Sequence, residues 1–206
     1  MFVISPIAAK PLQRYLESRC IPMHIANRYS FEVVIFNEKR HRNIHYLGFF
    51  SNNFGVIYKS AWGVTGSISV GITTITRDGV RCLQKTHPVV VLFSGFMDFL
   101  SYLALKDLDS PDCDVIVLNG CSNVEKGMRF LRQHIYVYCY LSLDERGRKC
   151  QKYLDENLKG CIIVDRSDRY EGAEDLNSLL IKKRTEETAP VRSGRRKASL
   201  KKANKG

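Results

Sequence analysis

Three loops of this chain carry side chains that could bind a ligand or act in catalysis. The first holds Ser94 and Asp98, the second Ser142 and Asp144, and the third Asp175. The third loop also contains Asp165, Asp168, Glu171, Glu174 and Asn177. Each loop follows a segment with the pattern of a β-strand, and in an open parallel sheet ligands bind beyond the carboxyl ends of the strands. For Ser94 and Asp98 the alternative is an ordinary turn between a strand and a helix, without chemistry.

Strands and helices alternate regularly from residue 88 onward. Short runs of mostly apolar residues predict strands over 89–93, 114–118, 135–141 and 161–164. Apolar residues at helical spacing predict helices over 97–106, 124–133, 145–158 and 175–183. Such alternation implies right-handed βαβ crossovers and a parallel sheet that is covered on both faces. The sequence therefore predicts a four-stranded, mainly parallel sheet, with the three loops converging at one edge.

The first 87 residues have a different pattern. Two short amphipathic helices begin near Pro11 and Pro22, and strand-like runs over 31–36, 44–50 and 55–59 are separated by polar turns, which favours an antiparallel meander. Residues 62–71, rich in Gly, Ser and Thr, are predicted to form a loop leading to 72–75. The fold class is thus α/β, with a small α+β subdomain at 1–87, a Rossmann-like domain at 88–181 and a tail at 182–206.

Positive charge is concentrated in the tail. Ten basic residues and two acidic ones in 182–206 account for +8 of the formal net charge of +11. We expect this segment to be disordered and to bind nucleic acid electrostatically. The candidate contacts are Arg195, Arg196, Lys197, Lys201 and Lys202. The alternative is a solvated tail that only aids solubility.

The cysteines and histidines form no recognisable metal motif. Seven cysteines are scattered without a Cys-x-x-Cys pair, and the five histidines lack motif spacing. We therefore expect reduced thiols, no zinc site and a cytoplasmic location. No apolar run reaches the roughly 18 residues of a membrane span, so no membrane association is expected.

The three loops also carry a recognisable signature. Residues 94–98 read Ser-Gly-Phe-Met-Asp, residues 142–147 read Ser-Leu-Asp-Glu-Arg-Gly, and residues 174–177 read Glu-Asp-Leu-Asn. In spacing, residues 89–180 thereby resemble the Toprim domain of DnaG-type bacterial primases, whose pattern is Glu-Gly-x-x-Asp, then Asp-x-Asp before a glycine-containing helix start, then Lys-Asp followed by an Asn or Asp. Residues 12–22 and 71–75 resemble the region that precedes Toprim in short primase-like proteins of mobile elements.

The resemblance implies a catalytic centre from which two carboxylates are missing. The family uses the first-loop glutamate as a general acid or base, and its aspartates hold Mg²⁺ or Mn²⁺. Ser94 and Ser142 stand at two of those positions, while Asp98, Asp144 and Asp175 match the pattern. A hydroxyl does not exchange protons near neutral pH as a carboxylate does, and Mg²⁺ prefers anionic oxygens. We therefore expect Ser94 to be inactive and metal binding to be weak or absent.

Two further departures concern nucleic-acid binding. Where the resemblance implies Arg-Asn on an upstream strand, this chain has Lys59 followed by serine, and we expect the zinc-binding module that opens a primase to be absent. Lys59 is a candidate phosphate contact, with a solvated lysine as the alternative. Arg146, Arg148 and Lys149, next to the second loop, are further nucleic-acid-binding candidates.

Together these features predict a primase-like Toprim protein with a degenerate catalytic centre, which binds DNA or RNA in DNA replication or mobile-element maintenance. Its expected protein partners are a replicative helicase or another mobile-element protein. One alternative is an active metal-dependent primase that makes RNA primers with substitute ligands drawn from Glu145, Asp165, Asp168 and Glu174. Another is a protein-interaction module.

Overall fold

The computed structural model describes residues 2–52, 55–61, 65–68, 71–75 and 87–188. The strands are β1 Phe2–Ser5, β2 Phe31–Asn37, β3 Arg42–Phe50, β4 Val56–Lys59, β5 Thr65–Ile68, β6 Thr73–Ile75, β7 Val89–Phe93, β8 Asp114–Val117, β9 Tyr136–Tyr140 and β10 Ile162–Asp165. The helices are α1 Lys10–Ser18, α2 Met23–Tyr29, α3 Phe96–Lys106, α4 Val124–Leu131, α5 Glu145–Asn157 and α6 Leu176–Thr188. Short 3₁₀ helices lie at Glu38–Arg40, Cys121–Asn123 and Ser167–Tyr170.

The first sheet is an antiparallel meander, in the order β1-β2-β3-β4-β5. The predicted meander is confirmed for β2 to β4, while β1 was not anticipated. Strand β5 lies inside the segment predicted to be a loop. Its Gly66 is opposite Tyr58, and a Cβ there would collide with the tyrosine ring. A glycine that reads as a turn signal in the sequence here lets an aromatic ring lie against its neighbouring strand.

The second sheet has the order β10-β9-β7-β8-β6. Its four strands β7 to β10 are parallel, as predicted. The short strand β6 adds a fifth, antiparallel strand at the edge, where Thr73 lies opposite Val117. Since β6 precedes residue 88, a segment from the predicted N-terminal subdomain completes the sheet of the predicted Rossmann-like domain.

Alternate residues of β7 face opposite sides of the second sheet, as the pleat of a strand requires. Val90 and Leu92 pack into a core with α4 and α5, whereas Val91 and Phe93 pack into a core with α3 and α6. The second core also contains Leu12 and Leu16 of α1 and Leu47 and Phe49 of β3. The N-terminal helices therefore share a hydrophobic core with the parallel sheet.

Helix α6 is longer than predicted and continues to Thr188. Residues 182–188 are thus helical rather than part of a disordered tail. The rest of that tail, 189–206, with its five named Arg and Lys candidates, lies outside the described residues.

All cysteines in the described ranges are free thiols. No helix in those ranges combines the length and apolar character needed to cross a membrane.

Candidate functional site

The first loop joins β7 to α3 through Ser94 and Gly95. Gly95 is the N-cap of α3 and has an extended backbone, and Asp98 lies in the first helical turn. The Ser94 hydroxyl donates a hydrogen bond of 2.8 Å to Oδ2 of Asp98, whose side chain is buried. The serine therefore directs its single proton at the carboxyl group that stands one helical turn away.

Asp98 is a weakened acid in this environment. Burial is the main cause that raises its pKa, and the nearby charge of Asp175 raises it further. The Ser94 hydrogen bond and the Lys59 ammonium act in the opposite direction, and together these effects place the pKa at about 7. Burial therefore favours the neutral form of Asp98, which is a poor ligand for a hard cation.

The second loop positions Ser142 and Asp144 at the start of α5. The Asp144 carboxylate caps this helix, because its Oδ1 accepts hydrogen bonds of 2.8 Å from the Gly147 backbone N–H and of 2.8 Å from the Ser142 hydroxyl. The bond from the Gly147 backbone is the main cause that lowers the pKa of Asp144. Gly147 also has no room for a side chain, since a Cβ would collide with the Ser142 carbonyl oxygen.

The third loop leads into α6 and combines a cap with a link between helices. Oδ1 of Asp175 accepts a hydrogen bond of 2.7 Å from the Ser178 backbone N–H. The buried Asn177 side chain donates to the Arg19 carbonyl oxygen and to the Ser101 hydroxyl, both at 3.0 Å, and accepts from the Arg19 guanidinium at 3.2 Å. Asn177 thereby holds the end of α1 against α3 and α6.

Two adjoining concavities contain the predicted site residues. A cleft of about 440 Å³ is lined by Lys59, Ser94, Asp98 and Asp175, together with Arg19, Asn119 and Asn177. A pocket of about 680 Å³ is lined by Ser94, Ser142, Asp144 and Lys149. Ser94, Gly120 and Arg146 line both. The structure thus brings the residues of all three loops to the carboxyl edge of the parallel sheet, but divides them between two neighbouring cavities.

The donor set does not fit a tightly held Mg²⁺ or Mn²⁺. Mg²⁺ needs several oxygens in near-octahedral geometry, and anionic ones bind best. Within the described ranges, no three Asp, Glu, His or Cys side chains lie close enough to share a metal ion. In addition, Asp98 is partly neutral and one oxygen of Asp144 is occupied by the helix cap.

The substitute acids have other partners. Glu145 forms an exposed ion pair of 2.8 Å with Lys149, and Oδ1 of Asp165 accepts from the Ser167 backbone N–H at 2.8 Å. Asp168 lies 3.4 Å from the Arg169 guanidinium. Glu174, next to Asp175, is exposed. None of these contacts assembles a second carboxylate cluster beside Ser94.

The basic candidates divide between the cavities. Lys59, at the end of β4, lines the cleft, and Arg146 lines the cleft and the pocket. Lys149 lines the pocket. Arg148 lines a separate groove on the other side of α5, and its guanidinium donates to the Leu143 carbonyl. Of the four basic candidates within the described ranges, three therefore lie at the site.

Sequence reasoning missed three residues of the cleft. Arg19 belongs to the polar side of the predicted first helix, and no local signal pairs it with Asn177. Asn119 and Gly120 follow β8 and have positive φ angles of 57° and 121°. An Asn-Gly pair directly after a predicted strand is a turn signal, so this loop could have been included with the other three.

Comparison with known proteins identifies the second half of the chain. The sequence of residues 91–180 matches a family described as Toprim-like. Residues 91–180 form a Toprim-like domain. The resemblance inferred from the three motifs is thereby confirmed, and Ser94, Asp98, Ser142, Asp144 and Asp175 all belong to the Toprim-like domain.

Two solved structures share the fold over most of the chain. The primase fragment of the bacteriophage T7 primase-helicase protein matches with a TM-score of 0.58 and 16% sequence identity, over 84% of this chain and 70% of that one. A chain in a structure of the T7 lagging-strand DNA polymerase, interacting with primase domains bound to an RNA/DNA hybrid and dTTP, matches with a TM-score of 0.56 and 13% identity, over 90% and 89%. No sequence of a curated protein matches significantly. The likeness thus extends beyond the Toprim-like domain into the first sheet.

Proposed function

We propose that this is a primase-like Toprim protein with a degenerate catalytic centre, which binds nucleic acid in DNA replication or mobile-element maintenance. The observation that carries the proposal is the pair of serines at the family's acidic positions. Ser94 and Ser142 each donate a hydrogen bond to a neighbouring aspartate, Asp98 and Asp144. Each hydroxyl thus uses its proton to satisfy a carboxyl group instead of supplying a charge.

Loss of these charges removes the usual basis of phosphoryl transfer. That reaction depends mainly on positioning and on cations that neutralise developing negative charge, and carboxylates hold those cations in place. Here one remaining aspartate is partly neutral and another caps a helix. Primer synthesis is therefore not expected from this centre.

The cleft supports binding of a phosphate backbone. Arg19, Lys59 and Arg146 line it alongside Asp98 and Asp175. These three positive charges exceed the two negative ones, even when both aspartates are ionised. A groove of this sign attracts nucleic acid through release of counterions. The T7 structures of similar fold are described as the primase fragment of a primase-helicase protein and as primase domains bound to an RNA/DNA hybrid. These descriptions support DNA or RNA as the ligand and a replicative helicase as a protein partner.

The deciding experiment restores the missing carboxylates. Calorimetric titration of Mn²⁺ into the unmodified protein should show weak binding, with no primer synthesis on single-stranded template. The double variant Ser94→Glu with Ser142→Asp should gain at least tenfold in Mn²⁺ affinity, on the order of 1.4 kcal/mol. The matched control, Ser94→Ala with Ser142→Ala, changes the same positions without adding charge and should gain nothing.

Two outcomes would contradict the proposal. Tight Mn²⁺ binding or primer synthesis by the unmodified protein would favour the active enzyme with substitute ligands. Equal affinities of the acidic and alanine variants would mean that Ser94 and Ser142 do not occupy the family's acidic positions.

A further inference from the structure

The first sheet has a side that faces away from the shared core. Leu47 and Phe49 of β3 point into that core, so Tyr46, Gly48 and Phe50 point to the opposite side. The pairing register adds Phe31 of β2, opposite Gly48, and Tyr58 of β4, also opposite Gly48. We call this side, with its four rings Phe31, Tyr46, Phe50 and Tyr58, the outer face.

The rings of the outer face form a row across three strands. Phe31 and Phe50 have ring centroids 4.2 Å apart, and Tyr46 and Tyr58 are 4.8 Å apart. A Cβ at Gly48 would come within 2.5 Å of the Phe31 ring. The glycine therefore lets this ring lie low over the sheet, as Gly66 does for Tyr58.

The outer face is only partly covered by the described residues. Phe50 is 43% exposed and Ile4, on the same side, is 40% exposed. Phe31, Tyr46 and Tyr58 are of intermediate exposure. The apolar residues of this side belong to neither of the two hydrophobic cores of the described ranges. A row of partly exposed rings outside the cores is available for contact with a ligand.

Positive charge lies beyond the rings, at the turn that joins β2 to β3. Lys39, Arg40 and Arg42 are exposed in and beside the turn between β2 and β3. None of them forms an ion pair with another residue of the described ranges. Arg42 points to the same side as Tyr46, four residues along β3, at a distance of about 14 Å for an extended strand. Aromatic rings on the outer face thus have neighbouring cations that form no ion pair within the described ranges.

We propose that the outer face binds single-stranded nucleic acid, with bases stacked on the rings and phosphates near the turn. Every base has a π-face that can stack on an aromatic side chain, and adjacent cations hold the backbone. A duplex keeps its base faces buried, so it cannot bind in this way. The surface lies on the opposite side of the sheet from the Lys59 cleft, and it extends the proposed nucleic-acid binding to a second site.

The test uses the full chain and a fluorescein-labelled oligothymidine of 20 nucleotides, with a 20-base-pair duplex in parallel. In anisotropy titrations, Tyr46→Leu and Tyr58→Leu should each weaken single-strand binding by about fivefold or more, because loss of a stacking ring has an effect of this size. Duplex binding should stay unchanged. Leucine keeps the glycines covered, and a thermal melt of each variant establishes that it is folded.

The matched control is Phe36→Leu, which removes a ring that is 53% exposed on the other side of the same sheet. It should leave single-strand binding unchanged. Arg146→Glu serves as a cleft variant. If the cleft proposal fails, Arg146→Glu has no effect while the tyrosine variants still weaken binding. If the outer-face proposal fails, the reverse holds.

A folded Tyr46→Leu, Tyr58→Leu double variant with unchanged single-strand affinity would overturn the proposal. Should that variant instead change the sedimentation of the protein while single-strand affinity stays the same, the outer face is a contact between protein copies and does not bind nucleic acid.

Discussion

At the scale of single residues, the centre of the site is a buried carboxyl group that a serine supports. Ser94 donates to Asp98, and burial raises the pKa of Asp98 to about 7. The folded state therefore prefers the neutral acid. A group with this property affects stability as well as chemistry, since its ionisation opposes folding.

The first residue-scale prediction follows from the sign of this shift. The pKa of Asp98 rises from 3.8 when exposed to about 7 in the folded protein, so burial of the side chain has no ionisation cost below pH 3.8. The cost grows between these values and is complete above pH 7. Asp98→Asn, which cannot ionise, should raise the free energy of unfolding by up to about 4 kcal/mol at pH 8, with little of this gain at pH 4.

Thermal or urea unfolding of both proteins from pH 4 to pH 8 measures this difference. Asp155→Asn, on the exposed side of α5, is the matched control, since it makes the same carboxyl-to-amide change away from the site. A pH-independent difference for Asp98→Asn would show that its carboxyl group titrates normally.

The residues of the site could be predicted only where strand ends are visible in the sequence. Ser94 and Asp98 follow a run of mostly β-branched residues, and Asp144 follows a second strand-like run, rich in tyrosine. Arg19 could not be predicted, because its partner Asn177 is 158 residues away. The pairing of each serine with its aspartate depends on side-chain rotamers, which a motif does not specify.

At the scale of elements, the start of α5 determines how the second loop is held. Ser142, Asp144 and Gly147 form one compact cap. Alanine is normally a better helix residue than glycine by about 1 kcal/mol. At Gly147, however, a Cβ would collide with the Ser142 carbonyl oxygen, which belongs to the backbone and cannot easily move.

We therefore expect Gly147→Ala to lower the free energy of unfolding by about 1–3 kcal/mol, the usual size of an overpacking effect. Urea unfolding measures it. The matched control is Gly127→Ala in α4, where the nearest atom to a Cβ is the flexible Leu118 side chain at 3.3 Å; that variant should be near neutral or slightly stabilising. Equal effects of the two changes would contradict the collision.

Element types were predictable from periodicity, but element ends were less so. The predicted end of α6 near residue 183 was too early because residues 182–188 lack apolar side chains. This last part is held instead by side-chain contacts along the helix. Arg184 pairs with Glu187 at 2.9 Å, and the hydroxyls of Thr185 and Thr188 donate to carbonyl oxygens in the preceding turn.

At the scale of the whole molecule, the two predicted domains share one core. Leu12 and Leu16 of α1 pack with Phe93, Phe99 and helix α6. Single domains with a common core usually unfold in one cooperative transition. The N-terminal helices should therefore stabilise the Toprim-like domain.

Leu16→Ala tests this coupling. Removal of a fully buried leucine should lower the free energy of unfolding by about 2–5 kcal/mol. If the core is shared, hydrogen exchange should accelerate at the β9 amides as well as in α1. Leu154→Ala, on the far side of the second sheet, should accelerate exchange in α1 to a similar degree. Unchanged β9 exchange in Leu16→Ala would mean that the two halves unfold independently.

The pairing partner of β6 was beyond sequence reasoning. Thr73–Ile75 is only three residues long, and a run so short carries no information about which strand it will join. Its partner β8 begins 41 positions further along the chain at Asp114. The pairing becomes visible only in the folded second sheet, where β8 has a free edge with which β6 can form hydrogen bonds.

Strand β6 has a consequence for how such chains can be recombined. Consider a chimaeric protein made from two relatives and joined at residue 88, where the change of pattern in the sequence is sharpest. In that protein β6 and the sheet that it completes would come from different parents. The backbone groups along one side of Val115–Val117 would then need a new partner, and an open edge of that kind readily pairs with another copy of itself. A module that can be exchanged without this fault must begin before Thr73.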